Sequence, residues 1–166
     1  MRSVLFVAAI AALLCGCGRS AFFDFTGSAT YAEALPHTKR GEILDRFESK
    51  AQISASYLNA IYPDKKEYNS SETFLIGLYI ANDFKSKSKE GLNNPNYALD
   101  LNGLNRLSAQ TVDKNDNLLK LMPLVNRWNI YYIVRFPIAD KTTLDLTLKE
   151  ADTNQSTTIS FQKSNL

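Results

Sequence analysis

The chain has 166 residues, 45% hydrophobic, 11% aromatic and 22% charged, a globular composition that suits one domain rather than two. Nineteen basic groups against 17 acidic ones leave a formal net charge of +2. That balance lacks the concentrated basic excess of a dedicated nucleic-acid binder, and a single histidine argues against a His-rich metal site or a histidine relay.

Met1 and Arg2 give a short basic start, and Ser3 to Leu14 is an uncharged run of twelve residues. Twelve residues match the core of a secretory signal and fall short of a membrane span. Leu14-Cys15-Gly16-Cys17 follows at once. This stretch resembles the signal peptide and lipobox of bacterial lipoproteins, with Leu14 three positions before cleavage, Gly16 just before it and Cys17 just after. Taking Cys15 as the acylated residue would put the bulky Leu14 where a small residue is needed, so Cys17 is the lipidation site that the resemblance implies. A thiolate is nucleophilic enough to accept a diacylglyceryl group. Several acyl chains, at roughly 0.8 kcal/mol per buried methylene, hold a protein stably on a membrane. An ordinary cleaved signal, or an N-terminal helix, is the alternative. The implied organisation is a signal peptide over 1–16, a lipidated N-terminus and tether over 17–35, and one domain over 36–166. Gly18, in place of the Asp that retains lipoproteins at the inner membrane, resembles the outer-membrane default. The expected location is the bacterial cell envelope, anchored in the outer membrane and facing the periplasm.

Period-two alternation dominates the rest of the chain. Ala51, Ile53, Ala55 and Tyr57 alternate with polar residues, as do Leu144, Leu146 and Leu148, then Ile159 and Phe161. Phe74, Ile76, Leu78 and Ile80 alternate with Leu75, Gly77 and Tyr79; Trp128, Ile130, Tyr132, Val134 and Phe136 alternate with Asn129, Tyr131, Ile133 and Arg135. Such patterns send alternate side chains to opposite faces of a strand. Weaker strands are expected at Tyr97 to Leu101 and Leu118 to Met122, and Glu42 to Phe47 fits a strand or a short helix. Turn-forming clusters separate these runs, among them Tyr62-Pro63-Asp64-Lys65 and Asp152-Thr153-Asn154-Gln155-Ser156. The expected fold is all-β: an antiparallel two-sheet sandwich of immunoglobulin-like outline, with a small β-barrel as the alternative. On the core side of its strand, Trp128 is expected to be buried, and Trp128→Ala to cost roughly 3–5 kcal/mol.

Two strands are apolar on both sides. Leu75, Tyr79, Tyr131 and Ile133 either lie beneath the N-terminal segment and long loops, or form an exposed patch that meets a partner. Glu67-Tyr68-Asn69-Ser70-Ser71 and Asp152-Thr153-Asn154-Gln155-Ser156 resemble the extended acceptor sequence for periplasmic asparagine glycosylation, which marks Asn69 and Asn154 as candidate glycosylation sites. Asp113, Asn115 and Asn117 have the opening spacing of a calcium loop, but Leu118 and Leu124 stand where a Gly and a bidentate Glu belong. No catalytic triad, phosphate loop or cofactor motif is present, so neither an enzyme nor a metal or cofactor is expected. The expected role is binding or scaffolding by a membrane-anchored domain, with an envelope protein as partner; the alternative is a carrier of a small apolar ligand.

Overall fold

The computed structural model describes residues 29–123 and 125–163. Within them the alternating runs become nine strands: β1 (Thr38–Asp45), β2 (Glu48–Tyr57), β3 (Glu72–Ile80), β4 (Tyr97–Leu101), β5 (Leu104–Asn105), β6 (Ser108–Val112), β7 (Ile130–Phe136), β8 (Thr143–Glu150) and β9 (Ser156–Gln162). They form two antiparallel sheets, ordered β1-β2-β3-β7-β6 and β5-β4-β8-β9. The fold is an all-β sandwich and not a closed barrel. It shares the two-sheet outline of immunoglobulin domains, with its own strand order. Here β2 and β3 pair in one sheet, whereas the second and third strands of an immunoglobulin domain lie in opposite sheets.

The inward sides of both sheets meet in one core. Ile53, Phe74, Ile76, Val134 and Phe136 of the five-stranded sheet pack against Leu101, Leu144, Leu146, Leu148 and Phe161 of the other. The ring of Phe74 meets those of Phe161 and Phe136 edge-on, with centroids 5.3 and 6.0 Å apart. Tight interdigitation of this kind is what makes a core sensitive to single side chains. At one margin β1 comes close to β9, and Gly41 is the reason: a Cβ there would lie 2.6 Å from the Thr157 hydroxyl.

A second apolar cluster lies on the outer face of the five-stranded sheet. Three short helices, α1 (Ala29–Ala34), α2 (Leu58–Ile61) and α3 (Lys66–Asn69), together with a 3-10 helix at Asn117–Leu121, cover one half of that face. Ala34, Leu58, Ile61, Tyr68, Leu119 and Leu121 are buried there with Leu75 and Tyr131. Of the two readings of these doubly apolar strands, cover by other segments holds for one half of the four residues. Leu75 and Tyr131 are 0% and 2% exposed, and only Tyr79 and Ile133 remain partly open. Part of the expected tether also belongs to the body, since Ala34 is fully buried and its carbonyl accepts a hydrogen bond from the Thr38 hydroxyl.

Trp128 departs from expectation. It precedes β7 rather than lying in it, and it is 65% exposed. Leu118 to Met122, expected as a strand, is mostly the 3-10 helix, capped by the Asp116 side chain accepting from the Leu118 N–H. Glu42 to Phe47 resolves as strand, because β1 turns into β2 through Arg46 and Phe47, both at positive φ. That is the backbone of a two-residue hairpin turn whose twist matches its strands.

Candidate functional site

The helical layer stops halfway along the outer face of the five-stranded sheet. Beyond it the outward positions of β2 and β3 are Gln52 and Tyr79, which stand opposite one another in the register. Both are only partly buried. Between the covered and uncovered halves sits Gly77, paired with Tyr131 across to β7. The Tyr131 ring lies over Gly77, where an added Cβ would come within 2.8 Å of it and 3.1 Å of the Asn129 side-chain nitrogen. Lack of a side chain at 77 thus lets a tyrosine ring and an asparagine amide settle on the sheet, a common reason for glycine within a strand.

The loop before β7 is held from both ends. Tyr131 accepts a hydrogen bond at its hydroxyl from the Asn126 N–H, 2.9 Å away. The Asn126 side-chain oxygen accepts from the Trp128 and Asn129 backbone N–H groups at 2.9 and 3.0 Å. An asparagine bonding the backbone two and three residues on is a self-contained turn. The Lys114 ammonium donates to the Arg127 carbonyl at 2.9 Å. This bracing holds the backbone that carries Trp128, whose indole is exposed to solvent. The Arg127 guanidinium sits 4.4 Å from the ring centroid, a cation–π contact that takes one face of the ring.

Gln52, Tyr79, Asn126, Trp128 and Asn129 line a recess of about 250 Å³. A second recess of about 340 Å³ shares Gln52, Asn126 and Asn129 and runs on past Ser54 to Thr38 and Arg40. A third, of about 510 Å³, lies on the other side of Trp128 and is bounded by Thr111, Asp113 and Glu90. The first two share three residues and form one groove over β1, β2 and β3, whereas the third lies at the end of β6 and the start of β7, across the ridge made by Trp128, and is lined from both sides of the sheet.

The five central side chains are neutral. Gln52 is already engaged on two sides: its oxygen accepts from the Arg40 guanidinium, and its amide nitrogen donates to Glu42 at 2.9 Å. The Glu42 carboxyl is held below the usual carboxylate range by the neighbouring Ser49 and Gln52 side chains. An amide carries two lone pairs and two N–H groups, so Gln52 keeps one of each for another partner. The Asn129 side-chain amide and the Tyr79 hydroxyl make no hydrogen bond to any described residue and face the same recess. An arrangement of neutral amides, a phenol and an indole recognises hydroxyl and amide groups and apolar faces; it holds no group suited to moving a proton at neutral pH.

Of the residues singled out by sequence, the structure brings Tyr79 into this groove and puts Leu75 and Tyr131 beneath the helical layer. Cys17 lies outside the described residues. Asn154 is exposed on the β8–β9 hairpin at positive φ, with Ser156 exposed beside it. Asn69 is exposed at the end of α3, but the serine two residues on that completes its acceptor sequence, Ser71, is 3% exposed and bonded to the Thr73 hydroxyl at 3.0 Å. Asp113 uses its carboxylate to close a local turn onto the Asn115 N–H. Sequence reasoning missed Gln52, Asn126 and Asn129 and put Trp128 in the core. The available signal was Asn126-Arg127-Trp128-Asn129, a lone tryptophan flanked by turn-forming asparagines.

Comparison of the chain with protein families, curated proteins and solved structures finds no match.

Proposed function

We propose that this chain is a lipid-anchored protein of a bacterial cell envelope, tethered through Cys17, whose sandwich binds a component of that envelope at the outer-face groove. The observation that carries the binding role is Trp128. A large aromatic side chain left 65% exposed is costly in solubility and contributes little to the core, yet its loop is held in place by backbone N–H groups that donate to the Asn126 side-chain oxygen and the Tyr131 hydroxyl. Rigid aromatic anchors beside adaptable polar groups are the usual composition of a binding surface. The anchor rests on Leu14-Cys15-Gly16-Cys17 and the apolar run before it. Residues 17–28 would then join lipid to body, a reach of at most about 40 Å when fully extended.

One experiment tests both halves of this reading. Ser54→Cys places a thiol in the groove at a half-buried position, in a mature chain where Cys17 is acylated and Cys15 has left with the signal. The protein extracted from native membranes should have the mass of a chain beginning at acylated Cys17. The new thiol should react with a polar maleimide in the purified protein and be protected in intact envelopes. An unmodified chain beginning elsewhere overturns the anchor, and equal labelling in both settings overturns the binding role.

A further inference from the structure

Reading this groove as the binding surface, we infer that its ligand is an extended, uncharged saccharide chain. Three features meet in one place. The indole of Trp128 is exposed, and Arg127 occupies only one of its faces. Sugar rings present a flat patch of C–H groups that packs on such a face, because the polarised hydrogens meet the negative side of the aromatic quadrupole. Around it stand the side chains of Gln52, Asn126, Asn129 and Tyr79. Amides are both donors and acceptors, which is what pairs of vicinal hydroxyls and acetamido groups require. Asn129 and Tyr79 enter the groove with their polar ends unpartnered among the described residues.

Shape and charge narrow the class. Two recesses that share Gln52, Asn126 and Asn129 run on from β1 across β2 to β3, with Trp128 at their end. Two intervals of about 4.8 Å give a length of roughly 10 Å, which suits two linked units of a chain better than a single sugar. The cations stand at its margins: Arg40 beside the Glu42 carboxylate, and Arg127 stacked on one face of the indole. The five side chains that line the central recess are all neutral, so neutral sugar units fit it best. A flat apolar partner would leave the amides of Asn129 and Gln52 desolvated without replacement bonds, a cost of about 1–3 kcal/mol each.

The test uses the full chain extracted in detergent, which leaves it independent of whether the anchor is as described. Trp128 is the sole tryptophan, so its fluorescence reports this groove alone. The protein is titrated with a β-1,4-linked N-acetylglucosamine tetramer and, separately, with maltotetraose, and calorimetry provides a second reading. A saturable change in emission with either oligosaccharide is expected. Preference for the amino sugar points to wall glycan as the source, and preference for the hexose points to a neutral surface polysaccharide. Trp128→Ala, read by calorimetry, and Asn129→Ala should each weaken binding about tenfold or more, whereas Phe47→Ala, at the β1–β2 turn, should not change it. If neither oligosaccharide saturates up to about 10 mM, a range that fills even a site of roughly 1 mM Kd, the inference fails. It fails equally if Trp128→Ala binds as the parent does. Protection of the Ser54→Cys thiol in envelopes together with a failed titration would mean a binding surface whose occupant is not a saccharide.

Discussion

Trp128 and Phe74 each belong to an apolar run of period two, yet one is 65% exposed and the other fully buried. The difference lies in what precedes each residue. Phe74 pairs with Tyr57 on one side and Val134 on the other, so its side is fixed by neighbours on both edges. Trp128 is still within the turn that Asn126 makes, and pairing begins only at Ile130 on the β3 side. Alternation assigns a face only inside a paired strand. The two residues should therefore differ sharply on truncation. Phe74→Ala should cost about 3–5 kcal/mol, through lost burial and the cavity left among Tyr57, Phe136 and Phe161. Trp128→Ala should stay within about 0.5 kcal/mol. Urea unfolding followed by far-UV circular dichroism measures both, and the reverse ranking would place Trp128 back in the core.

At the scale of elements, the strands that build the core were readable because burial on one face imposes strict alternation. β2, β8 and β9 show it in their burial patterns, and β3 and the start of β7 depart from it because the helical layer buries their outer face as well. What escaped has little or no such imprint. β6 is an edge strand with four exposed residues before Val112, so nothing in Ser108-Ala109-Gln110-Thr111 alternates by hydrophobicity. Helices of four to six residues are too short to display a 3.6-residue period. Their packing nevertheless decides which half of the outer sheet face stays open, and hence where the groove lies. Tyr79 was visible as an outward aromatic; its partners in the groove come from a loop and from β2, which local patterns do not connect. Gly77 marks the join. Gly77→Ala should force the Tyr131 ring off the sheet, and that ring cannot yield freely because its hydroxyl is bonded to Asn126. Overpacking of this kind costs about 1–3 kcal/mol. The same displacement should reach Trp128 through Asn126, so native-state tryptophan emission should shift along with the urea midpoint. A lowered midpoint with unchanged emission would mean that the loop is braced independently of Tyr131.

Across the whole molecule, two polar clasps tie the sheets together at opposite ends of β2. At one end the buried Glu72 carboxylate of the five-stranded sheet accepts from the Tyr57 hydroxyl at 2.5 Å and from the Lys163 ammonium at 2.7 Å, with Lys163 following β9. At the other end Glu150 of the smaller sheet meets Lys50 of β2 at 3.5 Å and the Tyr97 hydroxyl at 3.4 Å. Each clasp includes a tyrosine that must remain neutral. Burial, and then the Glu72 hydrogen bond, raises the Tyr57 phenol far above its usual value. Burial, and then the charge of Glu150, raises Tyr97 to about 12. Tyr68, on the inward side of α3, is likewise raised to about 12 by burial first and by Glu67 next. An unfolded tyrosine ionises near pH 10. Because the folded values lie higher, the unfolded chain loses these protons first as the pH rises, and unfolding then draws the equilibrium. Stability from these groups is complete below about pH 10 and declines as the pH climbs toward 12. The urea midpoint should therefore be steady from pH 8 to about 10 and fall beyond it. Tyr97→Phe should make that fall shallower, since a phenylalanine keeps the ring and has no proton to lose. A midpoint that stays level to pH 12, or a Tyr97→Phe curve that falls as steeply as the parent's, would show that the clasps do not govern alkaline stability.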